Sequence, residues 1–182
     1  MELSFSIIKR LLIIIFISEL SLLQMLKAEV DKDALPNVEE GFQINFFVKE
    51  PHIINPSSLC FDKKGQLYVG AGPQYRHPKE DSPTDYIKIL IDSDNDGVAE
   101  TIKTFAEGLN CVQAMAWKGD ELWVANAPEL TVLRDTDGDD VADEYQIIYT
   151  GLNKLRHSVH GLNWGPDGWL YFTMGNLSLI HI

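Results

Sequence analysis

The sequence is poor in features that mark several classes of protein. It has two cysteines, Cys60 and Cys111, too few for a disulfide framework; a bridge after export and a buried free thiol both remain open. Lys and Arg total 15 against 27 Asp and Glu, giving a formal charge of −12. Because binding of phosphate backbones needs clustered basic residues, nucleic acid is not an expected partner. The apolar fraction of 45% excludes wholesale disorder.

Beyond residue 28, no stretch carries the 3.6-residue apolar period of an amphipathic helix. Short apolar runs separated by Gly, Pro and Asp predict strands instead; residues 42–48, which alternate in polarity, 86–91 and 130–133 are examples. The clearest case has Leu162 and Trp164 in one strand, the turn GPDG at residues 165–168, and a second strand at residues 169–173. The sequence therefore predicts an all-β protein.

The first 28 residues lack the uninterrupted run of about 20 apolar residues that spans a bilayer. Lys9 and Arg10 precede an apolar stretch that Glu19 interrupts, and Ala28 is a candidate cleavage position. This arrangement predicts a signal peptide over residues 1–28 and an exported protein, periplasmic or secreted. An uncleaved anchor, which would make the protein membrane-associated, and a buried helix are the alternatives.

The remainder divides into three parts. Residues 29–38 are polar and predict a linker. Residues 39–176 carry the strand patterns and predict the folded domain. Residues 177–182 continue none of the upstream patterns, and we interpret them as the non-native tail of a truncated reading frame.

One hairpin pattern occurs three times: an aromatic residue, a polar turn, then Leu-aromatic-Val or its equivalent. The matching aromatic residues are Tyr68, Trp123 and Tyr171. A period of about 40–50 residues with several short strands is typical of β-propeller blades. Since about three such units cannot close a ring, we expect a partial β-propeller. Three unrelated hairpins of a β-sandwich are the alternative.

A second, acidic repeat argues against unrelated hairpins. Residues 92–100 read DSDNDGVAE, and residues 135–143, an offset of 43, read DTDGDDVAD. The same register continues without a gap to the Gly-Leu-Asn triplets at 108–110 and 151–153.

Each acidic loop has the ligand pattern of a calcium site. Carboxylates at positions 1, 3 and 5, a backbone carbonyl at 7 and a carboxylate at 9 can surround one ion. The loops resemble the calcium-binding hairpins of integrin-type propellers; a solvated acidic turn without metal is the alternative. The predicted ligands are Asp92, Asp94, Asp96, the Val98 carbonyl and Glu100 in the first loop, and Asp135, Asp137, Asp139, the Val141 carbonyl and Asp143 in the second.

The sixth position of such a loop needs a positive φ. The first loop has Gly97 there. The second has Asp140, which tolerates that conformation less well, and its glycine, Gly138, stands at position 4. The role expected for calcium is structural.

His157 and His160 lie at the entry to the strand that contains Leu162. In a propeller, such an innermost strand borders the central channel. Histidine transfers protons near neutral pH, so either residue is a candidate for catalysis. On an extended segment a spacing of three places the two rings on opposite sides, which argues against a shared metal. A hydrogen-bonded structural histidine is the alternative.

Residues 157–176, HSVHGLNWGPDGWLYFTMGN, resemble the signature of soluble glucose/sorbosone dehydrogenase-type propellers. Gly-Phe at 41–42, Glu-Pro at 50–51 and Asp-Thr-Asp-Gly-Asp at 135–139 occur in the order found in a closer family. That family comprises the N-terminal propellers of the predicted membrane-bound dehydrogenases of planctomycetes and verrucomicrobia. The resemblance covers about residues 39–176.

The resemblance implies about six blades in the intact protein, of which roughly three are present here. It also implies pyrroloquinoline quinone in the channel and His157 as the base that takes the hydroxyl proton of a sugar or other alcohol. A cytochrome c-type acceptor would then receive the electrons. His160 and Gly161 depart from the small and basic residues of the sugar enzymes.

Three functions follow as alternatives. The first is a fragment of an exported quinoprotein-like dehydrogenase. The second is a non-catalytic, calcium-stabilised propeller that binds glycan or protein. The third is a calcium-dependent hydrolase of the lactonase type.

Overall fold

The computed structural model describes residues 35–73, 84–152 and 159–174, and the backbone of 180–181. Every regular element in these ranges is a β-strand, which confirms the all-β prediction. The same ranges contain no helix that is long and apolar enough to cross a bilayer. The strands are β1 Pro56–Phe61, β2 Leu67–Ala71, β3 Asp85–Ile91, β4 Thr101–Leu109, β5 Val112–Lys118, β6 Glu121–Asn126, β7 Glu129–Arg134, β8 Glu144–Thr150, β9 Val159–Trp164, β10 Leu170–Met174 and β11 Ile180–His181.

The strands form three antiparallel sheets in chain order. The first sheet is β1-β2-β3-β4, the second is β5-β6-β7-β8, and the third has the order β11-β10-β9. The first two sheets are meanders, in which each strand pairs with the next along the chain. All three sheets lie in one compact unit, Asn45–Ile182.

The hairpin turns have the hydrogen bonds and the glycine conformation that their sequences predict. In the β9–β10 turn, the Gly165 and Gly168 amides donate to the carbonyls of Trp169 and Gly165, and Gly168 has a φ of 82°. Only glycine takes that φ without steric cost. In the β1–β2 turn, the Asp62 carboxylate accepts the amides of Lys64 and Gln66, both at 2.8 Å. These turns fix the register of the hairpins on either side.

Apolar cores lie between successive sheets. The first core joins Tyr68, Ile89 and Phe105 of the first sheet to Leu122 and Leu133 of the second. The second core joins residues of the second sheet, such as Leu130 and Ala125, to Leu162, Leu170 and Phe172 of the third. A third core packs residues 47–53 against the outer side of the first sheet. Each sheet is therefore stabilised mainly by its neighbours.

Aromatic rings occupy the first core. Tyr68 meets Phe105 edge-on with ring centroids 5.1 Å apart, and it meets Trp117 in the same manner at 4.9 Å. Trp123 and Trp164 make the equivalent edge contact at 5.2 Å between the second and third sheets. Edge-to-face pairs add to the stability gained from burial alone.

The last strand of the second sheet differs from its counterpart in the first. In β4, Phe105 is 1% exposed, because the second sheet covers it. Ile148 holds the repeat-equivalent position in β8 and is 41% exposed. Every residue of β8 is exposed, including Tyr145, Ile147 and Tyr149.

The structure changes one expectation and decides between two alternatives that the sequence left open. Residues 42–48 alternate in polarity, but they form no strand. Within this segment, the Phe47 carbonyl accepts the Ala99 amide and the Asn45 side chain donates to the Gly97 carbonyl, so both bonds go to the first acidic loop. Cys60 and Cys111 are both free thiols. Burial, with a smaller contribution from the negative charge of Asp62, raises the pKa of Cys60 to about 12. The thiol therefore stays protonated and unreactive at neutral pH.

Candidate metal sites

The two acidic loops connect the third and fourth strands of their sheets. The first loop, residues 92–100, joins β3 to β4, and the second, residues 135–143, joins β7 to β8. Each loop is closed at its base by a backbone bond. The Glu100 amide donates to Ile91 at 3.1 Å, and the Asp143 amide donates to Arg134 at 3.0 Å. The sequence repeat is therefore a structural repeat.

The two loops also share an unusual backbone. Positions 4 and 6 have positive φ in both: 61° at Asn95 and 85° at Gly97, then 83° at Gly138 and 69° at Asp140. Asp140 thus adopts the conformation that its side chain was expected to disfavour. Asparagine and aspartate adopt a positive φ more readily than other residues with a Cβ. Both loops therefore have the same backbone conformation, although the residue types at positions 4 and 6 differ.

Short hydrogen bonds hold the loop side chains. The carboxylate at position 1 accepts the amide at position 6 in both loops: Asp92 from Gly97 at 2.9 Å, and Asp135 from Asp140 at 3.0 Å. The carboxylate of Asp139 accepts the Val141 amide at 2.8 Å. These bonds arrange the backbone so that the acidic side chains surround one volume.

In the first loop, one oxygen from each of four carboxylates lies within 4.8 Å of the others: Asp92, Asp94, Asp96 and Glu100. In the second loop the corresponding group contains Asp135, Asp137 and Asp143. The structure therefore brings together seven of the eight predicted carboxylates and leaves Asp139 outside. The Val98 and Val141 carbonyls remain predicted ligands, and their side chains are exposed.

The group in the first loop contains an unsatisfied buried oxygen. Among the described residues, Asp92 Oδ1 is buried and accepts no hydrogen bond, although Oδ2 of the same carboxylate does. A buried carboxylate oxygen without a partner is costly unless a cation or a donor compensates it. A hard divalent cation among these oxygens would do so, and the all-oxygen donor set fits calcium.

Sequence reasoning missed the hydroxyl residues at position 2. Ser93 donates its amide and its hydroxyl to Glu100, at 2.8 and 2.9 Å, and these bonds lower the pKa of that carboxyl. Thr136 donates to Asp143 in the same manner, its hydroxyl at 2.7 Å. Both pairs fix the position-9 carboxylate in its loop with a backbone and a hydroxyl hydrogen bond. The signal that could have revealed them is a hydroxyl residue at position 2 of both repeats, Ser93 in the first and Thr136 in the second.

The predicted catalytic histidine, His157, lies outside the described residues. His160 is at the second position of β9 and is exposed. It lines a cavity with Ser57 and Gln113, at the place where the starts of β1, β5 and β9 meet. The described lining has no Lys or Arg.

The described part of the chain is thus an all-β assembly of antiparallel sheets with two acidic hairpin loops that could hold metal ions. The chain belongs to the family described as "Domain of unknown function (DUF7133)", whose model matches residues 33–179. No curated protein and no solved structure shows a significant match to the chain.

Proposed function

We propose that the chain is part of a calcium-stabilised β-propeller, whose acidic loops each bind one calcium ion. Successive four-stranded antiparallel meanders, packed face to face with β1, β5 and β9 adjacent, support the propeller. The resemblance described above supports about six blades in the intact protein.

The observation that carries calcium binding is the cluster of four carboxylates with the buried, unsatisfied Asp92 Oδ1 among them. Without a cation, these charges repel one another across less than 5 Å. The second loop repeats the backbone geometry and three of the carboxylates. Such sites have affinities on the order of 10⁻⁴ to 10⁻³ M, the range of extracellular modules. That range suits an exported protein, as the signal-peptide prediction for residues 1–28 implies.

Calorimetric titration of the full chain with calcium tests this proposal. We expect two ions per chain, with dissociation constants of about 10⁻⁴ to 10⁻³ M. Asp92→Asn and Asp135→Asn should each abolish one site, because position 1 contributes both a ligand oxygen and a loop hydrogen bond. Asp120→Asn is the matched control; it removes an exposed aspartate that pairs with Lys63 outside both loops. The absence of binding at 10-fold higher calcium would overturn the proposal.

A quinoprotein-like dehydrogenase that oxidises a sugar or other alcohol is the second candidate. The cavity shared by β1, β5 and β9 favours it, because His160 lies there, and the resemblance assigns the base to His157, three residues earlier. The described lining alone does not fit pyrroloquinoline quinone, since no basic side chain faces the carboxylates of that cofactor. We therefore place the calcium-stabilised propeller, binding glycan or protein, first.

A spectroscopic titration with pyrroloquinoline quinone separates the two candidates. We expect no saturable shift of the quinone absorbance at micromolar concentration in the folded, calcium-loaded chain. A saturable shift would favour the dehydrogenase. In that case His157→Ala should abolish turnover of alcohol substrates, and His52→Ala, which changes an exposed histidine outside that cavity, is its control.

A further inference from the structure

The two acidic loops make contacts outside their own hairpins. In the second loop, the Ala142 amide donates to the Phe105 carbonyl at 2.7 Å, and Phe105 belongs to β4 of the first sheet. The Asp140 carboxylate pairs with Lys103 of the same strand at 2.5 Å. The side chain of Ala142 is buried in the core between the two sheets. Part of this loop is thus joined to the neighbouring sheet.

The first loop makes equivalent contacts with the segment before β1. The Ala99 amide donates to the Phe47 carbonyl at 2.9 Å. The Gly97 carbonyl accepts a bond from the Asn45 side chain at 2.7 Å. A Cβ at Gly97 would lie 2.7 Å from that amide nitrogen, so a larger residue there would displace the Asn45 side chain. The residue at position 6 therefore contacts the preceding part of the chain in both loops. Gly97 does so through its backbone carbonyl, and Asp140 through its side-chain carboxylate.

One peptide group in each loop has an observed partner for its N–H and a predicted partner, the ion, for its carbonyl. Its carbonyl belongs to Val98 or Val141, the predicted position-7 ligand, and its N–H belongs to Ala99 or Ala142. Because a trans peptide is planar, the C=O and the N–H point in opposite directions. The group can therefore bind the ion on one side while it donates to Phe47 or Phe105 on the other.

We propose that these two peptide groups couple calcium binding to the packing of each sheet against the segment that precedes it. The inference rests on the proposed calcium binding and adds a role for it: the ion orders the junction as well as the loop. A cation at the carbonyl fixes the peptide plane and polarises the N–H, which strengthens the bond to the neighbouring carbonyl. Since coupling is reciprocal, disturbance of the junction must also weaken calcium binding.

Amide hydrogen exchange measured residue by residue in the full chain tests the coupling. We expect removal of calcium to speed exchange of the Ala99 and Ala142 amides roughly tenfold, the effect of losing about one hydrogen bond. Amides of β6, a strand paired on both sides, should change less than about twofold. Asp135→Asn should abolish the calcium response at Ala142 and preserve it at Ala99. Asp92→Asn should do the reverse.

Two outcomes are distinguishable. If calorimetry shows calcium binding but exchange at Ala99 and Ala142 does not respond, the coupling is wrong and calcium binding stands. If calorimetry shows no binding, the proposed function fails, and the coupling fails with it.

Lys103→Met provides a second test from the other side of the junction. Lys103 lies in the first sheet and is outside the ligand set, but it pairs with Asp140 of the second loop. Coupling predicts weaker calcium binding at the second loop and unchanged binding at the first. Electrostatics alone predicts tighter binding, because a positive charge beside the site is removed. Tighter binding would overturn the coupling.

Discussion

Phe105→Ala is expected to lower the free energy of unfolding by about 3–5 kcal/mol. The Phe105 ring is 1% exposed and lies in the core between the first and second sheets. Its centroid is 5.1 Å from that of Tyr68 and 6.1 Å from that of Trp117. Truncation would remove both ring contacts and leave a cavity that flanking strands cannot fill. Urea unfolding followed by tryptophan fluorescence measures the change.

Ile148→Ala is the matched control, because Ile148 occupies the same repeat position in β8. Its side chain is 41% exposed, so the expected cost is about 1 kcal/mol or less. Equal costs for the two variants would mean that the second sheet does not cover Phe105 in solution, contrary to the arrangement described here.

Saturating calcium is expected to raise the melting temperature by about 10–20 °C. At a free concentration 100 times the dissociation constant, each site adds about 2.7 kcal/mol of stability. Two sites would add roughly 5 kcal/mol, and a chain of this size gains about 2–4 °C per kcal/mol. Differential scanning fluorimetry with calcium and with a chelator measures the shift.

The double variant Asp92→Asn with Asp135→Asn should lose the calcium response while it retains a cooperative melt. Magnesium is the ionic control, since it prefers octahedral coordination and keeps its waters, and should shift the melt less. A wild-type melting temperature that is the same with calcium and with chelator would contradict the prediction.

The all-β class and most strand positions could be read from local patterns. Short apolar and aromatic runs predicted β3, β7 and β10 to within a residue or two, because each lies between two hydrogen-bonded strands and buries apolar side chains. Alternation failed at residues 42–48, since the pattern does not reveal whether a partner strand is present. Convergence of the carboxylates followed from spacing, because a nine-residue loop brings alternate side chains to one side.

Contacts between sheets could not be predicted in the same way. Asn45 reaches Gly97 across 52 residues of sequence, and Lys103 reaches Asp140 across 37. Neither pair has a local signature, and their partners are set by how the sheets pack. The pairing of the Asp140 side chain with Lys103 of the first sheet is a role for an aspartate at position 6 that the loop sequence alone does not show.

The placement of the cores between successive sheets has a consequence for how the chain unfolds. The second sheet packs against the first sheet and against the third, as in an array of coupled units. In such an array the stability is a sum of unit and nearest-neighbour terms, so a weakened junction divides the array into two blocks. Among the three described sheets, the second, which packs on both sides, is then expected to lose its structure last.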